Sequence, residues 1–257
     1  MEAAAPEVGR GDRIQHIGEA ILVIVGAYLA ASFVVTVFDP LTTVAVGDAS
    51  STNGVRIVQT VLQFVTMIAV VVGYGRLVDT KRLIRAVVPS RRGIGLIVGG
   101  TVVLLGGQYL INRLLEAVDL SPGANQAVLA GVGDPFYFLV MVVVSLLFVG
   151  PAEELLFRGA VQGRLRESWG RWPAIITATV LFGLIHIPGV TGGLGAQLSY
   201  ALLAGVLGIV LGYLYEYTDN IVVPAVTHGC YNGTLFALLY LGEIGYLGLE
   251  ATKRPPS

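Results

Sequence analysis

Long apolar stretches separated by short polar segments dominate this chain of 257 residues. A helix needs about 20 mostly apolar residues to cross the hydrocarbon core of a membrane. Seven stretches approach that length, and we predict a spanning helix for each: 18–38, 55–78, 93–115, 135–150, 173–187, 195–215 and 221–241. The pattern predicts an all-α, polytopic transmembrane helical bundle of about seven spans. Six to eight spans fit it as well, because the ends of the short fifth stretch are not sharply marked.

The same pattern divides the chain into a polar N-terminal tail at 1–17, a membrane domain at 18–241 and a polar C-terminal tail at 242–257. The fourth stretch continues as a helical pattern to Leu165. Small residues spaced four apart predict close helix packing, since they let backbones approach in lipid. They are Gly95 with Gly99, and the series Ala204, Gly208 and Gly212.

Composition supports a membrane protein, because 54% of the residues are hydrophobic and only 13% are charged. Soluble domains carry about 25% charged residues. The composition therefore excludes a disordered chain, an ordinary soluble enzyme and a basic nucleic-acid binder, so we expect the lipid bilayer and no nucleic acid as a partner. The single cysteine, Cys230, cannot form an internal disulfide. Nothing in the pattern indicates an oligomeric state.

Basic residues concentrate after the even-numbered stretches, which sets the expected orientation by the positive-inside rule. They are Arg76, Lys81, Arg82, Arg85, Arg91 and Arg92 after the second stretch, and Arg164, Arg166 and Arg171 after the fourth. We therefore expect a cytoplasmic N-terminus. Arginine outnumbers lysine fourteen to two, which favours a GC-rich prokaryote and hence its cytoplasmic membrane.

Charged and polar side chains within spans are costly and usually functional. Here they are few: Glu153, Glu154 and Arg158 on the fourth helix, His186 on the fifth, and His228 and Asn232 on the seventh. Residues four apart share a helix face, so Glu154 can pair with Arg158 and leave Glu153 free to face another helix. The same spacing relates Phe182 to His186 and His228 to Asn232. These groups can converge around one polar cavity, which we expect to open toward the cytoplasm.

Two chemistries suit such a set of side chains. Glu153 can act as a general base on water, with His228 and Asn232 donating hydrogen bonds to an oxyanion. Alternatively, Glu153, His186 and His228 can hold a zinc ion that activates the water. Both indicate hydrolysis of an amide bond. Plainer interpretations stay open for each part, namely an acidic pair at the membrane interface and histidines that bond neighbouring helices.

Three ordered motifs resemble those of the CPBP family of intramembrane proteases, which includes the CAAX prenyl endopeptidases and the bacterial Abi-type immunity proteins. Residues 153–158 fit EExxxR, 182–186 fit FxxxH and 228–232 fit HxxxN, and the likeness covers 136–241. The resemblance implies a metallo- or glutamate-dependent endopeptidase acting on a membrane-embedded or lipidated protein or peptide. It implies that Arg158 and Phe182 support a set of catalytic residues. The catalytic residues are Glu153, Glu154, His186, His228 and Asn232.

An alternative of another class is a membrane transporter, or a non-catalytic scaffold or immunity protein, in which the same polar cluster relays protons or binds an ion. A transporter favours inverted repeats, and the chain shows no repeated hydropathy pattern. The distances between Glu153, His186 and His228 discriminate the alternatives, since a protease needs them around one cavity and a scaffold does not.

Overall fold

The computed structural model describes residues 9–46, 53–78 and 85–246, and within these ranges the chain is almost entirely helical. We number eight helices in chain order: α1 Arg10–Val46, α2 Asn53–Leu77, α3 Arg91–Glu116, the short α4 Gln126–Gly131, α5 Pro135–Trp169, α6 Arg171–Leu184, α7 Leu194–Thr218 and α8 Val222–Glu243. The predicted all-α bundle is confirmed.

Six helices in the described part of the chain are long and apolar enough to cross a membrane: α1, α2, α3, α5, α6 with the turn that follows it, and α7. The seventh predicted span forms as α8, which has 22 residues and is long enough to cross. It does not qualify by composition, because the polar residues of the HxxxN motif and Glu243 lower its hydropathy. Six lies at the lower limit of the predicted range.

The first helix begins earlier than the apolar stretch indicated, at Arg10 instead of residue 18. Its polar first turns form a helix because they pack against the end of α5. His16 Nδ1 lies 2.9 Å from Ser168 Oγ, and Glu19 forms an ion pair with Arg164. Part of the predicted N-terminal tail therefore belongs to the bundle, while residues 1–8 and 247–257 of the two tails lie outside the described ranges.

The helices run between two ends of different character. We call one the arginine end, where Arg85 pairs with Asp219 at 3.0 Å and Arg166 pairs with Glu216 at 2.9 Å. Its other described arginines are Arg13, Arg76, Arg91, Arg92, Arg164 and Arg171, whereas Lys81 and Arg82 fall outside the described residues. The opposite end, which we call the α4 end, is joined by hydrogen bonds from Asn53 to Asp134, from Gly133 to Glu243 and from Gln126 to the Pro188 carbonyl.

Helix α5 is not a regular α-helix along its length. Two segments with wider π-type turns, Ser145–Val149 and Leu155–Gln162, enclose a short regular segment, Gly150–Glu154. The Gly150 amide accordingly bonds to the carbonyl of Ser145, five residues back. The next residue, Pro151, has no amide hydrogen, so at this residue the wide turn does not leave a backbone donor without a partner. Wide turns of this kind are frequent at functional sites.

Helices α5 and α8 touch through their backbones. A Cβ atom on Gly150 would lie 2.6 Å from the Ala225 carbonyl oxygen and 2.7 Å from the Gly229 nitrogen. A Cβ atom on Gly229 would lie 2.9 Å from the Cα of Leu146. Only glycine fits at this crossing, and the crossing brings the acidic pair of α5 against the histidine of α8.

The series of small residues on α7 is a packing face, as predicted. A Cβ atom on Gly208 would lie 3.1 Å from Arg158 Nη2, and one on Gly212 would lie 2.8 Å from Gln162 Oε1. Both long polar side chains of α5 donate to α7 carbonyls, Arg158 to Gly208 at 2.9 Å and Gln162 to Gly212 at 3.1 Å.

The prediction that Gly95 and Gly99 form a packing face on α3 is wrong within this chain. Gly95 and Gly99 are exposed, and no atom lies within 4 Å of where their Cβ atoms would be. The close contact of α3 is instead at Gly100, whose Cβ would lie 2.9 Å from the side chains of Leu214 and Thr227. The spacing of four predicted close packing on the correct helix but on the wrong face. Exposed glycines and packed glycines can have the same spacing in sequence.

Candidate active site

A buried ion pair lies at the base of the site. Glu154 Oε2 is 3.2 Å from Arg158 Nε, and their side chains are 0% and 1% exposed. Arg158 also donates to the Gly208 carbonyl, and its guanidinium carbon lies 4.7 Å from the centre of the Phe182 ring. The pairing expected from the spacing of four is therefore present. A buried charge needs such partners, since burial removes its hydration.

His228 lies between the two adjacent glutamates. Its Nδ1 is 2.9 Å from Glu154 Oε1, and its Nε2 is 3.7 Å from Glu153 Oε2. Because neighbouring residues on a helix point about 100° apart, the two carboxylates have different surroundings. Glu154 is enclosed by protein, whereas Glu153 lines a cavity. The two acids therefore differ in access to a substrate.

Phe182 connects the two histidines. The centre of its ring is 4.7 Å from that of His186 and 5.8 Å from that of His228. Its backbone carbonyl accepts a hydrogen bond from His186 Nδ1 at 2.7 Å. A carbonyl can only accept, so Nδ1 carries the proton, and in the neutral ring Nε2 is left as an acceptor.

One cavity of about 690 Å³ joins these groups, a size typical of ligand sites. Glu153, His186, His228 and Asn232 all line it. The sequence motifs thus converge on one space, the arrangement that a protease requires and a scaffold does not. Most of the remaining wall is apolar and includes Phe64, Leu104, Met141, Leu203, Leu207, Leu211, Leu235, Phe236 and Leu239.

Sequence reasoning did not single out several other polar residues of the cavity wall, among them Ser145, Tyr200 and Tyr231. Ser145 is fully buried, Tyr231 donates to Gln108 at 2.7 Å, and Tyr200 accepts from Asn125 at 3.1 Å. Their polar side chains within predicted spans are visible in the sequence but indicate a site only weakly. Serine and tyrosine are common in spanning helices at packing and interfacial positions.

The cavity reaches the α4 end of the bundle. Its exposed lining residues are Gln126, Pro188 and Gly189, all at that end, and its described wall includes no residue of the arginine end. The expected opening toward the cytoplasm stays a prediction, because the structure does not show which end of the bundle faces the cytoplasm. His186 lies near this mouth, because α6 is short and ends at Leu184, next to the α4 end.

The side chains predicted as zinc ligands do not form a three-ligand site in this arrangement. Within the described ranges, no three His, Cys, Asp or Glu residues are grouped so that they could hold a metal ion. Both ring nitrogens of His228 face carboxylates, and His186 Nδ1 is bonded to a carbonyl.

Comparisons with known proteins match the part of the chain that carries the three motifs. Residues 135–234 match the profile of the type II CAAX prenyl endopeptidase Rce1-like family, and this segment contains all three motifs. The Bacillus subtilis (strain 168) protein named "Putative membrane peptidase YdiL" is 31% identical over 116 residues, which cover 44% of this chain and 43% of that protein. No solved structure matches. The segment 135–234 is therefore similar to the CAAX prenyl endopeptidase, or CPBP, family of membrane proteases.

Proposed function

We propose that this protein is a membrane endopeptidase that hydrolyses peptide bonds with a water molecule activated by Glu153. One observation carries the proposal. Of two adjacent buried carboxylates, Glu154 is held by Arg158 and His228, while Glu153 lines the cavity beside His228, His186 and Asn232. Such a division of roles suits hydrolysis, in which one acid must remain free to exchange a proton.

In the proposed reaction, Glu153 accepts a proton from water as the oxygen attacks the carbonyl carbon of the peptide bond. The carbonyl oxygen becomes an oxyanion, which accepts hydrogen bonds from the Asn232 amide and from Nε2–H of His228 in its imidazolium form. The C–N bond then breaks, and the proton held by Glu153 passes to the leaving nitrogen. The products are a carboxylic acid and an amine, so no further reactant is needed.

His186 positions the attacking water in this scheme. Its Nδ1–H is fixed on the Phe182 carbonyl, so its Nε2 can accept a hydrogen bond from the water. Phe182 packs against both histidines and therefore sets their separation. Glu154 and Arg158 act through His228, because the Glu154 carboxylate fixes the orientation of that ring.

We propose that the substrate is a membrane-embedded or lipidated protein or peptide. The family carries the name of a prenyl endopeptidase and the relative that of a membrane peptidase, and the site itself lies within a bundle of apolar helices. We further propose that the protein lies in a prokaryotic cytoplasmic membrane with its arginine end in the cytoplasm, which the positive-inside rule favours.

The test compares cells that contain the wild-type protein, Glu153→Gln or the matched control Glu116→Gln, whose carboxylate lies at the surface at the end of α3. Membrane-protein fragments are identified by mass spectrometry of newly formed termini. We expect fragments with the wild type and with the control, and none with Glu153→Gln at equal protein levels. Unchanged fragments with Glu153→Gln would contradict the proposed role.

A further inference from the structure

One wall of the catalytic cavity is formed by helices outside the segment that resembles the protease family. Tyr28 on α1 and Thr60 and Gln63 on α2 line this wall. Helix α1 packs against α2 and α5, whereas α8 packs against α3, α5 and α7. The wall formed by α1 and α2 is therefore a different one from the wall that carries His228 and Asn232.

Tyr28 lies at about the same depth in the bundle as Glu153. Helices α1 and α5 run in opposite directions and are joined at the arginine end by the ion pair of Glu19 with Arg164. Tyr28 follows Glu19 by nine residues, or about 14 Å of helix. Glu153 precedes Arg164 by eleven residues, or about 17 Å of helix. The tyrosine and the acid therefore face the cavity at similar levels.

The other polar groups of this wall lie nearer the mouth of the cavity. Helix α2 is joined to the start of α5 by the hydrogen bond from Asn53 to Asp134 at the α4 end. Gln63 lies ten residues from Asn53, or about 15 Å. Glu153 lies nineteen residues from Asp134, or about 28 Å. Thr60 is closer still to the mouth, and its hydroxyl donates to a carbonyl of its own helix. Among the described lining residues, the tyrosine of α1 is therefore the polar group of this wall at the depth of the acid.

The hydroxyl of Tyr28 forms no hydrogen bond with another described residue. Two other tyrosines of the cavity differ in this respect, since Tyr231 donates to Gln108 and Tyr200 accepts from Asn125. The Tyr28 ring is partly buried against the hydrophobic core, and buried tyrosine hydroxyls usually have a partner. A hydroxyl can donate one hydrogen bond and accept others. In the complex, a bound substrate can therefore supply the partner that the tyrosine lacks.

The proposed hydrolysis leaves one atom of the reacting centre without a side chain beside it. The oxyanion lies toward His228 and Asn232, and the attacking water lies toward Glu153 and His186. The leaving nitrogen then faces the remaining wall, which α1 and α2 form. We propose that Tyr28 is a further catalytic residue, which carries the proton from Glu153 to the leaving nitrogen. This role rests on the proposed function.

The proton transfer leaves both side chains as they began. The Tyr28 hydroxyl donates its proton to the leaving nitrogen, and the electron pair of the C–N bond stays on that nitrogen as the bond breaks. The tyrosine oxygen accepts the proton that Glu153 took from water, and the products are a carboxylic acid and an amine. General acid catalysis of this kind contributes about 10²–10⁴ in rate. A leaving group that departs as a stable anion does not need the proton, so such a substrate bypasses the step.

Two substrates with different leaving groups test this role. The first is an internally quenched apolar peptide, whose cleaved bond is located by mass spectrometry. In the second, the acyl segment of the same peptide is joined as an ester to 4-nitrophenol, which leaves as an anion. Purified wild type, Tyr28→Phe and Glu153→Gln are assayed on both in detergent. The matched control is Tyr109→Phe, which makes the same change on the exposed face of α3.

We expect Tyr28→Phe to lower kcat for the peptide about 100-fold or more, with KM changed less than about threefold. Its rate on the ester should fall less than about threefold, which also shows that the variant is folded. Tyr109→Phe should match the wild type on both substrates, and Glu153→Gln should lose both activities. Wild-type peptide cleavage by Tyr28→Phe, or equal losses on peptide and ester, would overturn this inference and leave the endopeptidase in place. Absence of cleavage by the wild type, or full activity of Glu153→Gln, would overturn the proposed function and this inference with it.

Discussion

Replacing Glu154 with glutamine removes a negative charge from a place that water does not reach. The Arg158 guanidinium, 1% exposed, would then stay buried without its ion-pair partner. Breaking a buried ion pair costs about 3–5 kcal/mol. Arg158 keeps the Gly208 carbonyl and the face of Phe182, so we expect a loss near the lower limit, about 3 kcal/mol. For a protein of this size, such a loss lowers the melting temperature by about 6–12 °C.

Glu153→Gln is the matched control, because it makes the same chemical change one residue earlier. Glu153 lines the cavity, and its contact with His228 at 3.7 Å is longer than a hydrogen bond. We expect its melting temperature to stay within about 2 °C of the wild type, since no close ion pair is broken. The assay is thermal unfolding in one detergent, followed by intrinsic tryptophan fluorescence. Wild-type melting of Glu154→Gln together with a large loss for Glu153→Gln would refute the assignment.

Further predictions concern packing, the contact of α5 with α7, and metal. Gly150→Ala should lower stability by about 1–3 kcal/mol and reduce activity, because its methyl group would collide with the α8 backbone, whereas Gly95→Ala should change neither in unfolding and cleavage assays. Gln162→Leu removes the bonds to Gly212 and Glu216 and should cost about 1–3 kcal/mol in chemical unfolding, without a change in the pH dependence of cleavage. Zinc chelators should leave cleavage unchanged, and elemental analysis of purified protein should find less than one zinc per chain; loss of activity restored by zinc would support the metal alternative.

Local helix geometry made part of the site predictable. The pairing of Glu154 with Arg158 follows from a spacing of four, as does the shared face of His228 and Asn232, because such relations depend on one helix alone. The position of His228 between the two acids was not predictable. It depends on the crossing of two helices at Gly150, and no local pattern indicates which helices cross or at what depth.

The position of the cavity mouth within the bundle was not predictable for a related reason. Charge along the chain indicates which loops share a side of the membrane, but it does not show where a cavity lies within the bundle. The mouth is formed by α4 and by the turn at Pro188. The sequence indicated only a loop at the position of α4 and only the end of a short span at Pro188. Whether a glycine packs or faces outward, as for Gly100 and Gly95, likewise depends on the neighbours that the fold supplies.

The wide turns of α5 restrict how the length of this helix can change. Four of its residues line the cavity at intervals of four: Met141, Ser145, Val149 and Glu153. In a regular α-helix, residues four apart differ in direction around the helix axis by about 40°, which adds up to about 120° from Met141 to Glu153. Glu153 would then point away from the cavity that Met141 faces. Turns that hold more residues offset this drift and keep the row on one face. Insertion or deletion of a single residue between Met141 and Glu153 would therefore turn both glutamates away from their partners, whereas the same change in the loop before α4 would leave their directions intact.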